Sequence, residues 1–440
     1  MSHKRDFESS GIEADDDSVC NNSDSKKTKN GLICQNLDHA FRIFTAKLMS
    51  SILKQQTLNL EDHDYTPSQA VMISPLSIYL ALGMTMVGAR KTTLMQMLQG
   101  MSLLGSANEI SENEFMEWRL EYFKKYIQLL MSLVKQEEIK IANKLFVDQK
   151  MELTDDYANF TKETFDSSVE ICNFKKDFET ERCKINKWIE TNTNHMIRDL
   201  IPVGGVNQLT DLVIANAIFF LGTWNEAFDV VNTTKEVFHT LQRNKKKVSM
   251  MNKTSVNVQF GQDEEKQYRW VKLPYKNENF SMIFIVPHSE LTTDNEKEFH
   301  DWLEQQLSSP NKVFQTHSEK LSKLSIPKFK LQFKLDLAST LPHTPFNMSH
   351  AFDKRNANFE GMTREALSLK NPPYLQNILH ECVVEVDEQG TKAAAATVVV
   401  GMNCLIDKTS LKEFVVNRPF AFLIVHEETI VFCGKVNSIS

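Results

Sequence analysis

Glycine and proline are both scarce in this sequence, with 14 glycines and 12 prolines in 440 residues. Flexible linkers between domains are rich in such residues, so the sequence shows no obvious boundary between independent units. Hydrophobic residues make up 41% of the chain and charged residues 24%, the ordinary balance of a globular protein with a substantial core. We therefore expect one folded domain over residues 35–440, preceded by a disordered polar tail at residues 1–34.

Cysteine occurs only seven times, and no two cysteines have the CxxC spacing. An odd number without such pairs argues against a disulfide scaffold and against a zinc knuckle. At least one thiol is therefore expected to stay free. Because the sequence contains no convincing cluster of metal-ligating residues, we predict no metal ion and no other cofactor.

Neither sign of charge is strongly in excess, since 50 basic and 57 acidic residues give a formal net charge of -7. This balance provides no electrostatic footprint for nucleic acid, and the basic run at 243–247 (RNKKK) is interpreted as a solvated turn. No apolar run reaches the length of a membrane span, and the start of the sequence lacks the apolar core of a signal peptide. We expect a protein of the cytoplasm, or one secreted without a cleaved signal.

The common catalytic motifs are absent as well. The sequence has no GxSxG, no GxGxxG, no HExxH and no GxxxxGK followed by Ser or Thr. Cys404 could act as a nucleophile, but no neighbour in the sequence would lower its pKa. We predict that the chain is not an enzyme and that His380 has a structural role.

Hydrophobic periodicity predicts both helices and strands. Apolar residues at steps of three and four from Met116 to Val134 predict a long amphipathic helix, and a second helical pattern covers 183–197. Short apolar runs at 139–147 and 211–221 predict buried strands. After Trp224 strands dominate, and the last two have the signature of a hairpin. The pattern indicates an α+β fold with helices gathered around large sheets.

One segment combines local preferences that conflict. Residues 388–410 read EQGTKAAAATVVVGMNCLIDKTS, in which a run of alanines favours a helix and a run of valines favours a strand. A surface loop is the simplest interpretation, but so long an apolar segment on a surface would promote aggregation. In extended form one face consists only of small residues, so the segment could enter a gap between two strands. The residues of that face are Thr391, Ala393, Ala395 and Thr397.

This segment is part of a close resemblance between the sequence and the serpins. The resemblance consists of blocks that run in the family's order from about Phe41 to Ser440. The resemblance implies a single α+β serpin domain with three β-sheets, eight or nine helices and an exposed reactive-centre loop at about 388–412. The absent signal peptide resembles the ovalbumin-like branch of the family. The matching blocks are SPLSIYLALGMTMVGA, INKWIETNT, DLVIANAIFFLGTWNEAF, KLSIPKFKL, VEVDEQGTKAAAAT and NRPFAFLIVHEETIVFCGKV.

The resemblance also assigns site residues around the family's sheet A. A shutter of buried, hydrogen-bonded side chains lies under the opening of the sheet, and a breach with a salt bridge lies at its upper end. The shutter residues are Ser74, Ser77, Asn216 and His380, and the breach residues are Trp224, Lys328 and Glu388. The hinge of the loop comprises Glu388, Gln389, Gly390, Thr391, Lys392, Ala393, Ala394, Ala395, Ala396 and Thr397.

The activity that the resemblance implies is inhibition of serine proteases by entrapment. A protease attacks the exposed loop as a substrate and forms an acyl-enzyme, after which the hinge inserts into sheet A and displaces the tethered protease. The native state must then be metastable. The alternative is a non-inhibitory serpin with a binding, storage or chaperone role. Such members usually carry charged, bulky or proline residues in the hinge, whereas this hinge is nearly intact.

The scissile bond follows from the family's usual count of seventeen residues from Glu388, which places it between Cys404 and Leu405. A modest neutral side chain at this position fits an elastase-like or chymotrypsin-like pocket, of which we favour the elastase-like one. A shifted register would use Met402 or Leu405 instead, and Lys408 is a remote trypsin site. The bait residues before the bond are Val400, Gly401, Met402 and Asn403.

The expected partner is therefore a serine protease, held covalently by a monomeric inhibitor. The predicted amphipathic helix carries Arg119, Lys124 and Lys125, but not the dense basic face that would support heparin binding. We predict no strong heparin site and no activation by a cofactor.

Overall fold

Helices surround two hydrogen-bonded sheets in the computed structural model, which describes residues 36–58, 70–104, 111–166, 169–292, 295–309, 312–363, 373–391 and 412–439. A π-helical turn, Arg119–Phe123, joins α4 to α5, so the described ranges contain nine α-helical segments, or eight if this continuous helix is counted once. The α-helices are α1 (Leu37–Leu58), α2 (Pro75–Met86), α3 (Lys91–Gly100), α4 (Glu112–Trp118), α5 (Lys124–Val134), α6 (Asp155–Phe165), α7 (Phe174–Asn192), α8 (Glu296–Ser308) and α9 (Ser349–Phe352).

Sixteen strands form the two sheets within the described ranges. They are β1 (Ala70–Ile73), β2 (Ile139–Asp148), β3 (Glu170–Cys172), β4 (Leu212–Phe220), β5 (Gly222–Thr223), β6 (Thr234–His239), β7 (Lys245–Asp263), β8 (Tyr268–Pro274), β9 (Phe280–Pro287), β10 (His317–Pro327), β11 (Phe329–Asp336), β12 (Ile378–Asp387), β13 (Gly390–Thr391), β14 (Glu413–Val415), β15 (Phe420–His426) and β16 (Thr429–Val436). The α+β class, the helix number and the C-terminal hairpin are confirmed.

The smaller sheet has seven strands in the order β3, β2, β4, β12, β13, β5, with β11 paired to β12. The larger sheet has nine strands in the order β1, β16, β15, β9, β8, β7, β10, β14, with β6 paired to β7. The resemblance predicted three sheets. Strands expected in two of these sheets are hydrogen-bonded here into the single nine-stranded sheet. The reason is the length of β7, whose first residues pair with β6 and whose last residues pair with β8.

Helix α2 lies between the two sheets and is buried along its whole length. Its start is determined by sequence, because the Ser74 side chain accepts a hydrogen bond from the Ser77 N–H and Pro75 occupies the first turn. The helix contacts β2 and β4 on one side and β16 on the other. Helix α7 covers the opposite face of the seven-stranded sheet, where Ile185 and Ile189 pack in a separate apolar cluster with residues of β4 and β12.

The basic residues singled out in the sequence lie in two different settings. On the continuous helix, Arg119 is buried with its guanidinium 3.0 Å from Asp156, and Lys124 lies 2.7 Å from Glu163. Residues 242–247 are exposed, as expected for the basic run. That run is not entirely a turn, however, because Lys245 to Lys247 pair with β6 and so form the start of β7.

Four cysteines lie in the described ranges, and all four are free thiols: Cys172, Cys183, Cys382 and Cys433. The expectation that at least one thiol stays free is therefore confirmed. Within the same ranges no group of three His, Cys, Asp or Glu residues could hold a metal ion, and no helix is long and apolar enough to cross a membrane. The predicted tail at 1–34 lies outside the described residues.

Candidate functional site at the opening of the seven-stranded sheet

The two middle strands of the seven-stranded sheet are paired in their lower part and separated in their upper part. Strands β4 and β12 are parallel neighbours from Ile214 opposite Ile378 to Phe219 opposite Val383. Above this level β13 lies between β12 and β5, the strand that follows β4, with Thr391 opposite both Val386 of β12 and Gly222 of β5. The sheet therefore has a defined point at which one strand pairing is replaced by another.

Below this point a buried polar cluster connects α2 to the sheet, and it contains all four predicted shutter residues. Ser77 Oγ donates a hydrogen bond to Asn216 Oδ1 at 2.9 Å, and Asn216 Nδ2 donates to the Ser77 carbonyl at 2.7 Å. Ser74 Oγ donates to the Val431 carbonyl at 2.8 Å. His380 contacts Asn216 Oδ1 through Nδ1 and accepts from the Ser74 N–H through Nε2 at 3.2 Å. All four residues are fully buried.

The hydrogen bonds of His380 determine its tautomer and its charge. Because Nε2 accepts from a backbone N–H, the ring proton must be on Nδ1, where it is donated to Asn216 Oδ1. Burial without a compensating negative charge lowers the pKa of His380 to about 3. The residue is therefore neutral at physiological pH, donates to Asn216 of β4 and accepts from Ser74 at the start of α2.

Sequence reasoning missed one member of this cluster, Asn143 on β2. Its side chain donates to the Ser77 carbonyl at 3.0 Å, and it lies directly opposite Asn216 in the sheet. The feature of the sequence that could have identified Asn143 is a single amide side chain within the otherwise strand-like run IKIANKLFV. His380 and Cys382 lie on the same face of β12, but they do not form a catalytic pair, because the Cys382 thiol donates to the Met72 carbonyl and burial raises its pKa well above the ordinary value.

At the upper end of the sheet, Trp224 holds the chain that follows β12. Its indole N–H donates to the Asp387 carbonyl at 3.0 Å, and its backbone N–H donates to the Gln389 carbonyl at 2.9 Å. The ring is stacked on Tyr275, with centroids 4.6 Å apart. These contacts fix the position of the tight turn that connects β12 to β13.

The predicted ion pair is present beside this turn. Lys328 Nζ lies 2.6 Å from Glu388 Oε2, and Thr233 donates to Glu388 Oε1 at 2.7 Å. Burial by itself would raise the pKa of Glu388, but the hydrogen bonds from Lys328 and Thr233 outweigh it, so the pKa lies below the ordinary value. The Phe228 N–H also donates to the Glu388 carbonyl at 2.8 Å. Thr233 and Phe228 were not predicted from the sequence.

The first hinge residues enter the sheet through a very narrow space. Gly390 has φ +144°, and a Cβ there would lie 2.0 Å from the Gly222 carbonyl oxygen. Thr391 is fully buried, and its hydroxyl is 2.9 Å from the Tyr275 hydroxyl beneath the sheet. The hinge residues Lys392 to Thr397, the bait residues and the scissile bond at Cys404 and Leu405 lie outside the described residues.

The middle of this large sheet therefore parts around an entering segment, above a buried polar cluster. The sequence model of the family described as Serpin (serine protease inhibitor) matches residues 44–439. The chain belongs to the serpin family, in its ovalbumin-like branch. Because this is a family of protease inhibitors, the chain is not an enzyme.

Similar proteins cover nearly the whole chain. Human Serpin B8 is 33% identical over 383 residues, which is 84% of this chain and 93% of that protein. A serine protease inhibitor of Cyanea capillata is 29% identical over 83% of this chain and 91% of its own length. Among solved structures, Serpin48 of Tenebrio molitor has a TM-score of 0.75 at 21% identity, covering 92% of this chain and 99% of that one. Uncleaved ovalbumin has a TM-score of 0.72 at 20% identity, covering 91% and 99%.

His380 makes the stability of the native state depend on pH. Its pKa is about 3 in the folded chain against an ordinary 6.5, so the unfolded chain binds more protons between these values. The free energy of unfolding should therefore fall as the pH is lowered from 6.5 to 5, with a contribution of up to about 1.4 kcal/mol per pH unit from this residue. In urea titrations across this range, His380→Gln should lose that part of the slope. The exposed control His288→Gln should keep it, and equal slopes for all three proteins would contradict the prediction.

Reversing the charge of Glu388 should loosen the turn above β13. Glu388→Lys removes the bonds to Lys328 and Thr233 and places two ammonium groups together, which should lower the free energy of unfolding by about 1–3 kcal/mol. Thermal unfolding and native gels of heated protein measure the loss of stability and the formation of oligomers. Glu298→Lys, which removes an exposed pair with Lys266, is the matched control. If both variants unfold at the same temperature, the ion pair does not secure the breach.

Proposed function

We propose that this chain inhibits a serine protease as a suicide substrate, by inserting its cleaved loop between β4 and β12. The observation that carries the proposal is the position of Gly390 and Thr391, which already form a strand between β12 and β5. Cleavage farther along the loop would free the residues that follow Thr391. They could then extend β13 downward and take the place of the pairing between β4 and β12.

The register of β13 defines where each following residue would go. Thr391 lies opposite Val386 and Gly222, so each step forward along the hinge moves one step back along both neighbouring strands. Ala393 would lie opposite Val384 and Phe220, both of which are fully buried. Ala395 would likewise lie opposite Cys382 and Ile218. The small inward face of the hinge would thus meet buried neighbours in a closely packed core, which favours small side chains.

Extension in the same register would place Thr397 opposite His380 of β12 and opposite Asn216 of β4. These two residues are themselves paired in the native sheet, so the registers on both sides agree. The hydrogen bond between these two side chains would have to break. The threonine hydroxyl can both donate and accept, so it can satisfy the two groups that are separated. We infer that the shutter acts as a gate with a closed arrangement and an inserted one.

Lys392 is the hinge residue with a positive charge, and the same register would put it on the outward face opposite Glu385. That carboxylate now lies 3.2 Å from Lys330. A lysine beside it would be attracted, whereas the acidic residue that is commoner in the family would be repelled. The departure from the family pattern at Lys392 therefore fits the local charge of β12.

For the target we propose an elastase-like protease, with cleavage between Cys404 and Leu405. The support is the neutral character of the residues around this bond, since a trypsin-like pocket requires Arg or Lys. We propose further that the inhibitor is a monomer that holds the protease through the acyl bond.

A panel of proteases tests the proposed function. Incubation with elastase, chymotrypsin, cathepsin G and trypsin should give an SDS-resistant complex with elastase, and sequencing of the released peptide should begin at Leu405. The cleaved protein should also unfold at a much higher temperature than the intact one, because insertion completes the sheet. If every protease cleaves the loop and keeps its full activity, the chain is not an inhibitor.

A pair of arginine substitutions tests the direction of each hinge side chain. Ala393→Arg should abolish the SDS-resistant complex and leave a cleaved chain with active protease, because the guanidinium would have to enter the buried space beside Val384 and Phe220. Lys392→Arg adds the same group one residue earlier on the outward face and should inhibit like the unmodified protein. The stoichiometry of inhibition measures both effects. Similar loss of inhibition in the two variants would refute the register.

A further inference from the structure

A cavity of about 200 Å³ lies at the junction of the two sheets, directly beside Trp224. It exists because β7 and β8 diverge. Their pairing runs from Asp263 opposite Tyr268 only as far as Gln259 opposite Lys272. Beyond this point β8 pairs only with β9, and its end is joined to the segment after β5, where the Asn225 N–H donates to the Pro274 carbonyl at 3.0 Å. The cavity lies between these parts of β7 and β8.

The walls of this cavity combine apolar surface with positive charge. Trp224, Phe228, Val256, Leu273 and Leu324 provide the apolar part. The charged residues among the described lining are two lysines, Lys253 and Lys272, and one glutamate, Glu226. The lysines outnumber the glutamate, and a concave surface that combines apolar walls with a few polar groups is the usual character of a small-molecule site.

Lys253 is a largely buried cation of this cavity. Its side chain is only 18% exposed, and its ammonium lies 4.8 Å above the ring of Phe228. It donates to the Glu226 carbonyl at 2.7 Å, but the Glu226 carboxylate is 3.7 Å away and 75% exposed. Burial lowers the pKa of Lys253, and Glu226 compensates only in part. A second anion near this ammonium would therefore be favourable.

We propose that the cavity binds a small amphipathic carboxylate, with its acid group on Lys253 and its apolar body against Phe228, Val256 and Leu324. The charge of the lining selects an anion over a cation. The apolar walls select a compact aromatic or aliphatic body over a sugar or a free phosphate.

Occupancy of this site would act on the breach, a consequence that rests on the proposed function. Phe228 donates its N–H to the Glu388 carbonyl, and Trp224 holds the turn between β12 and β13. A ligand packed against both side chains stabilises the turn in its native position. Bound carboxylate should therefore slow the extension of β13 and increase the fraction of chains that are cleaved without trapping protease.

Calorimetric titration of the full chain with 2-naphthoate tests the site. We expect saturable binding of one molecule, weakened by at least about tenfold in Lys253→Met, since a bond to a charged group is lost. The control Lys247→Met removes an exposed lysine of the same strand outside the cavity and should bind like the unmodified protein. Naphthylmethylamine, with the opposite charge, should not bind. Equal affinity of the two variants, or no binding to the unmodified protein, overturns the proposal.

A cavity-filling variant supplies a second, independent measurement. Val256→Phe should abolish binding of 2-naphthoate while the protein keeps a native unfolding transition, and retained affinity in this variant would also overturn the site. The titration does not involve a protease. If no protease is ever trapped, the proposed function fails while the binding result stands, so the two failures are distinguishable.

Discussion

The pairing of β4 with β12 is the interaction on which the rest of the structure depends. Six residue pairs hold the two strands together, and they end at Phe219 opposite Val383. Backbone polar groups in a buried sheet need partners, so the strands cannot separate above this level without another segment between them. Gly390 and Thr391 provide those partners on both sides. The middle of the sheet therefore contains two pairings at different levels, β4 with β12 below and β13 with β12 and β5 above.

Each of these two levels of the sheet has its own buried polar cluster. Below, His380 and Asn216 link the two strands to α2 through Ser77; above, Trp224 and Glu388 secure the turn. Such networks are stable only when every member is satisfied, so they resist gradual opening and favour two discrete states. Insertion would replace one row of hydrogen bonds between β4 and β12 by two rows to a new strand. The mechanism that we propose therefore requires that a kinetic barrier keeps the native chain from reaching the more stable inserted state.

Periodicity alone predicted much of the fold, whereas the site required a known family pattern. Buried strands such as β4 and β9 are nearly continuous apolar runs, and they were recognisable for that reason. The helical pattern in the sequence started at Cys183, whereas helix α7 begins at Phe174. The prediction missed its first turns because they are largely polar and exposed and so give no apolar stripe. The shutter residues are far apart in sequence, so no local pattern joins them. Asn143 and Tyr275 were missed because their roles arise only from strand register and from packing between the sheets.

The conflicting preferences of the segment that begins at Glu388 follow from its point of entry. A Cβ at Gly390 would meet the Gly222 carbonyl oxygen, and a Cβ at Gly222 would meet Tyr275 and Phe220, so neither position has space for a side chain. In the insertion that we propose, the inward positions would meet fully buried neighbours, which favours small side chains such as alanine. Alanine is also the strongest helix former, so a segment suited to this gap has a local propensity that opposes the strand. In the proposed mechanism the segment occupies two states, and its local preferences cannot agree with both.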